Sequence, residues 1–193
     1  LSWYKYFSYP NDSLVSNYSQ DINIDKANNI ILTGNFNDSI FCKLDSAGNT
    51  IKVLNFAGLY NLSSPVAIDD SCNYYFADRT NTNYSLAKVD SSGNILFSKI
   101  FNPSSYSSIY SMRISGSYIF TTGCTYFSSP SSCITVKSDL NGDTVWTASF
   151  GSGNYRYYGA KVIPQSNGNV IVVCQLDSSS SHISTILLKY SAQ

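Results

Sequence analysis

Apolar and polar residues alternate with a period of two over Ser39 to Leu44, Ser85 to Val89 and Ile134 to Lys137, as expected of strands with one buried and one wet face. Ahead of each lies a more continuously apolar run, at Ile30 to Gly34, Tyr74 to Ala77 and Tyr118 to Gly123, with a fourth at Val170 to Cys174. Such runs predict strands covered on both faces. A shorter strand is predicted before each of them, at Ile22 to Asp25, Val66 to Asp69, Met112 to Ser115 and Ala160 to Ile163. A strand ending in Phe is predicted after the first three alternating runs, at Thr50 to Phe56, Ile95 to Phe101 and Thr144 to Phe150.

These strands are punctuated by a repeated turn. Lys43-Leu44-Asp45-Ser46-Ala47-Gly48-Asn49 returns as Lys88-Val89-Asp90-Ser91-Ser92-Gly93-Asn94 and as Lys137-Ser138-Asp139-Leu140-Asn141-Gly142-Asp143, and a fourth copy starts at Lys189-Tyr190-Ser191. Asp can accept backbone N–H groups at the start of a hairpin turn, and Gly supplies the positive φ that closes it. The spacing is that of a four-stranded unit repeated every ~40–50 residues. The units are placed at about 15–57, 58–103, 104–151 and 152–193, with an extra strand at 1–7, all within one domain of 193 residues.

Four antiparallel strands, with a Gly-containing turn before an aromatic-bearing outer strand, resemble the β-propeller repeats of bacterial surface proteins and quinoprotein-like propellers. The matched elements are the Asp-x-x-Gly-Asn turns and the strand carrying Trp146 and Phe150; Val53 and Phe97 stand where other units would carry the Trp. The resemblance implies an all-β, four-bladed β-propeller of four-stranded antiparallel blades, with a binding surface around a central channel. It implies no particular reaction.

The fourth unit, read from inner to outer strand, has three strands and reaches Ser191 inside the turn where another should follow. Leu1-Ser2-Trp3-Tyr4-Lys5-Tyr6-Phe7 matches Thr144 to Phe150 in its Trp and its terminal Phe. Trp3, Tyr4, Tyr6 and Phe7 are therefore expected to close the last blade, because an unpaired sheet edge invites a strand. The strand comes either from the same chain, closing the ring, or from a neighbouring subunit, giving strand exchange.

Composition narrows the setting. The formal net charge is +0, 12% of residues are charged, and Glu is absent. That excludes the basic stripe nucleic acid requires and the polybasic patch of an electrostatic membrane anchor. Sixteen Tyr, ten Phe and abundant Ser and Asn favour strands and turns over helices. No run reaches the ~18–20 apolar residues of a membrane span, and the strand-like opening at Leu1 is read as following a removed signal peptide. Five Asn-x-Ser sequons, at Asn11, Asn17, Asn37, Asn61 and Asn83, stand beside five cysteines. Together they point to a secreted or cell-surface glycoprotein.

Cys124 and Cys133 flank a hairpin connection and are the expected disulfide; Cys42 and Cys174 are expected buried in strands and Cys72 in a turn. His182 follows the serine run Ser178 to Ser181 that links two strands, where it is expected as a loop residue, and no nucleophile elbow accompanies it, so no catalytic triad is assigned. The oxygen-rich Asp139 to Asp143 is read as a turn rather than a calcium loop, since no Glu can close the coordination. No catalytic, cofactor or metal site is assigned, and the chain is expected not to be an enzyme. Tyr106 to Tyr110 and Asn154 to Tyr158 are expected on connections between blades, where Tyr155, Tyr157 and Tyr158 either stack on a ligand or wedge between blades.

The sequence thus predicts a non-catalytic extracellular structural or adhesive module that associates with itself or with a protein or glycan partner. Its rivals are a lectin-like, carbohydrate- or protein-binding propeller and a secreted hydrolase using Asp residues.

Overall fold

The computed structural model describes residues 4, 18–36, 39–54, 65–79, 84–101, 107–125, 131–151, 155–178 and 182–191. Among them every regular element is a strand, and each sheet is drawn from one continuous stretch of chain. The first sheet holds β1 (Tyr18–Ile24), β2 (Ile30–Phe36), β3 (Ser39–Leu44) and β4 (Thr50–Leu54) in sequence order. The second holds β5 (Val66–Ile68), β6 (Tyr74–Arg79), β7 (Tyr84–Val89) and β8 (Ile95–Phe101). The third holds β9 (Ser107–Ser115), β10 (Tyr118–Thr125), β11 (Ser132–Asp139) and β12 (Thr144–Phe150). The fourth holds β13 (Arg156–Pro164), β14 (Val170–Ser178) and β15 (His182–Tyr190). All neighbours are antiparallel, so each sheet is a meander built by local hairpins.

The turns show why the repeat folds as it does. In every Asp turn one carboxylate oxygen accepts the N–H groups two and four residues on: Asp45 from Ala47 and Asn49, Asp90 from Ser92 and Asn94, Asp139 from Asn141 and Asp143. The other oxygen of Asp45 and of Asp90 takes the Asn side-chain amide. The same device closes the first hairpin of two sheets, at Asp25 to Asn29 and Asp69 to Asn73. Gly48, Gly93, Gly142 and Gly168 take the left-handed position of their turns with φ between 81° and 94° in the last three and 83° in the first.

The core lies between sheets, not inside a shell. Ile31 and Phe41 of the first sheet meet Val66, Tyr74, Phe76, Ala87 and Val89 of the second, and Phe41 packs edge-on against Tyr74 at 4.9 Å. Ala67, Tyr75, Ala77 and Leu86 meet Ile109, Met112 and Ile119 of the third. Phe120 and Cys133 of the third meet Tyr157, Val162, Val170, Val172 and Cys174 of the fourth. The facing sides of consecutive sheets are apolar, and stacking the sheets buries them. Polar links tie the outer rims: Lys52 donates to the Ser92 carbonyl and Lys99 pairs with Asp143.

Two expectations change here. Tyr110 and the Tyr157-Tyr158 pair are not on connections between blades but within the innermost strands β9 and β13, which start several residues earlier than the apolar pattern indicated. A β-bulge interrupts the alternation in each strand and hides its first half from a period-two reading. His182 opens β15 and pairs with Ser178 rather than lying in a loop. Of the expected blade-closing strand, only Tyr4 is among the described residues; it stands outside any strand and is 77% exposed. Trp3, Tyr6 and Phe7 lie outside the described residues.

Candidate functional site

The innermost strands converge on one small cavity of about 80 Å³, lined by Asp21 from β1, Pro65 just before β5, Ile109, Tyr110, Ser111 and Arg113 from β9, and Lys161 from β13. Three of the four sheets therefore contribute, with the segment leading into the second. Three of the lining residues are equivalent by register. Asp21 pairs with Thr33, Ser111 with Thr122 and Lys161 with Val173, and each is the first pair after a bulge centred on Gln20, Tyr110 or Ala160. A bulge adds one residue to one strand and re-aims its neighbours. Here it turns the residue that follows towards the axis around which the sheets are set.

The chemistry of the lining is charged. Asp21 is held by backbone donors, its two oxygens accepting from Val66 N–H at 3.0 Å and from Ile22 N–H at 3.0 Å. Asn23 donates to the Val66 carbonyl at 3.2 Å, so β1 grips the start of β5 with both a donor and an acceptor. Ser111, fully buried, accepts Val162 N–H at 3.3 Å and keeps its hydroxyl proton for another partner. Arg113 donates through Nη1 to the Met112 carbonyl at 2.6 Å, which leaves most of its donors unused. Lys161 is exposed. Among the described residues neither Arg113 nor Lys161 forms an ion pair, so two cations face one carboxylate.

A second, more open cavity of about 410 Å³ adjoins this one through Tyr110, and is lined by Tyr110, Tyr158, Ala160 and Gln175. Its walls are aromatic and amide, where those of the first are ionic. The Tyr110 hydroxyl lies 3.5 Å from the Cys124 sulfur, which fixes the ring between the two spaces.

The expected site residues are divided by the structure. Tyr158 reaches the open cavity, Tyr155 is exposed and lines neither space, and Tyr157 is buried against Phe150, edge-on at 5.5 Å, as a wedge between the third and fourth sheets. Cys124 and Cys133 are directly opposed on β10 and β11, and the Cys133 thiol also hydrogen-bonds Cys174 of the fourth sheet. Cys42 and Cys174 are buried in strands, and Cys72 sits in a turn at φ 59°. Asn11, Asn17, Asn37, Asn61 and Asn83 lie outside the described residues. Sequence reasoning missed Asp21, Ser111, Arg113 and Lys161. Counting back from the turn would have found two of them, since Asp21, Pro65 and Lys161 each precede the first residue of their turn, Asp25, Asp69 or Gln165, by four positions.

No family model matches the chain, and no curated protein is similar to it. Solved structures are. A streptogramin B lyase is 12% identical with a TM-score of 0.64 over 92% of this chain. A catalytically inactive variant of virginiamycin B lyase from Staphylococcus aureus, solved with quinupristin, is 11% identical with a TM-score of 0.60 over 91%. The chain spans 57% of the length of each. At this identity the likeness establishes the fold, a β-propeller, and no finer kinship with particular repeat families. It also corrects the expectation that the chain is not an enzyme. Both similar structures are lyases, so this architecture carries catalysis, and the lack of a familiar catalytic motif has no weight against activity.

Proposed function

We propose that this protein is an extracellular β-propeller that binds an acidic carbohydrate, its carboxylate in the ionic cavity and its ring against Tyr110 and Tyr158. The observation that carries this reading is the adjacency of two cations, without ion-pair partners among the described residues, to an aromatic-walled groove. The space of about 80 Å³ is the smaller and more polar of the two and suits a carboxylate. The groove of about 410 Å³ falls within the range of small-molecule sites, ~300–1,000 Å³. Arg113 can hold a carboxylate in its guanidinium fork, Lys161 adds a mobile positive charge, and Asp21 and Ser111 suit neighbouring hydroxyls. Tyrosine faces stack on the apolar face of a sugar ring.

The sequons and the low net charge support placement outside the cell, where surface glycans supply such ligands and attachment is the role. The test is titration calorimetry with uronic-acid and sialic-acid oligosaccharides against their neutral counterparts. Binding to the acidic series only, weakened at least tenfold in both Arg113→Ala and Lys161→Ala and weakened by added salt, is expected. Equal binding of neutral and acidic sugars, or none of either, overturns the reading. Each mixture is also analysed for altered ligand, because two lyases share the architecture.

A further inference from the structure

The boundary between the third and fourth sheets holds a pair of sulfurs that the ligand site does not use. Cys133 on β11 and Cys174 on β14 belong to different sheets, and both side chains are wholly buried in the same apolar cluster. They share an S–H···S hydrogen bond. Opposite Cys174 in the register stands Gly159, where a Cβ would come within 3.0 Å of the Cys133 sulfur. Glycine at that point opens the space through which Cys133 reaches across to Cys174.

We propose that Cys133 and Cys174 form a disulfide that staples the third blade to the fourth when the protein folds under oxidising conditions. Two thiols lose two protons and two electrons as one S–S bond forms. A small disulfide such as oxidised glutathione accepts them by thiol–disulfide exchange and leaves as two thiols. Because both sulfurs are buried in the docked blades, the exchange precedes docking.

Cys124 is the rival partner, and local geometry disfavours it. It lies directly opposite Cys133 on the adjacent strand, where Cβ atoms stand ~4.5–5.5 Å apart, whereas disulfides bring them to ~3.8 Å. Its sulfur is turned to the Tyr110 hydroxyl at 3.5 Å. A bond between sheets has no ladder to distort, because two packed faces can close by a small slide.

The test is refolding of the full chain in a glutathione redox buffer, trapping of free thiols with an alkylating agent at acid pH, and peptide mapping without reductant. The expected result is one cross-linked peptide joining Cys133 to Cys174, with Cys42, Cys72 and Cys124 alkylated. Adding reductant should lower the melting midpoint by about 4–16 °C. The link should persist in Cys124→Ser, which leaves both partners in place. Alkylated Cys133 and Cys174 in the refolded protein, or a Cys124–Cys133 peptide, would overturn the proposal.

Discussion

The Lys43 ammonium stands 2.8 Å from the Asp25 carboxylate at the boundary between the first and second blades, with 15% and 1% of the two side chains exposed. Lys43 also donates to the Tyr74 hydroxyl at 3.1 Å, so one side chain joins the turn of its own blade to the wall of the next. Burial alone would push the Asp25 carboxyl up. Hydrogen bonds from Lys43 and Asn29 prevail and hold it at about 2, against an ordinary 3.8.

Acid should therefore loosen this boundary in a defined window. A carboxyl whose folded pKa is depressed stabilises the fold fully above its unfolded value and loses that contribution as pH falls through the folded one, here between about 4 and about 2. The stabilisation amounts to roughly 2 kcal/mol. Asp25→Asn should cost about 2–4 kcal/mol at pH 7, because it leaves the Lys43 charge poorly paired. It should also flatten the acid limb of a urea-unfolding series. An unchanged acid limb in the variant would show that other carboxylates set it.

Cys72 occupies a left-handed position, φ 59°, in a turn whose relatives place Gly48, Gly93, Gly142 and Gly168 there. A side chain in that conformation costs about 1 kcal/mol, more than glycine loses through its freer unfolded chain. Cys72→Gly should raise stability by about 0.5 kcal/mol or more, read as a higher urea midpoint at unchanged slope. Asn28 holds the equivalent place at φ 60° in the first blade, and since Asn tolerates it, Asn28→Gly should change little.

The three clustered tyrosines should separate cleanly. Tyr158→Ala should weaken binding of the acidic saccharide with little change in stability, because Tyr158 walls the open cavity. Tyr155→Ala should affect neither, since Tyr155 is exposed outside both spaces. Tyr157→Ala should cost about 3–5 kcal/mol by opening a void beneath Phe150. Loss of binding confined to Tyr155→Ala, seen by calorimetry on folded variants, would move the site away from both cavities.

The contrast among these tyrosines shows what the sequence could disclose. The Asp-x-x-Gly-Asn turns were legible because their chemistry is local: the carboxylate of Asp45 or Asp90 reaches only its own next four residues. The apolar runs were legible because the second strand of each blade carries residues buried between or within the sheets. The site was not legible. Asp21, Arg113 and Lys161 lie on three different blades, and only the stacking of those blades brings them around one cavity. The bulges at Tyr110 and Ala160 also broke the alternation that would have drawn Tyr110, Tyr157 and Tyr158 into strands. Cys133 illustrates the same limit: the hairpin that sets it opposite Cys124 was legible, but the packing that buries it in one cluster with Cys174 was not.

Gly159 is where this long-range packing is tightest, and its substitution gives a test with an unambiguous sign. A Cβ at Gly159 would fall 2.0 Å from the Thr122 hydroxyl oxygen, 3.0 Å from the Gly123 nitrogen and 3.0 Å from the Cys133 sulfur, two of them side chains and one of them backbone of the third blade. Gly→Ala on an unhindered strand would gain about 0.4–1 kcal/mol by restricting the unfolded chain. Here Gly159→Ala should instead destabilise by about 2–3 kcal/mol, because the blades must part to admit one methyl group. Thr122→Ala, combined with it, removes the worst overlap but leaves the Gly123 backbone in the way. The double variant should therefore recover part of the loss, with a coupling of about 1 kcal/mol in a double-mutant cycle read by urea unfolding. A stabilised Gly159→Ala, or strictly additive costs, would mean that the third and fourth blades sit farther apart than this packing requires.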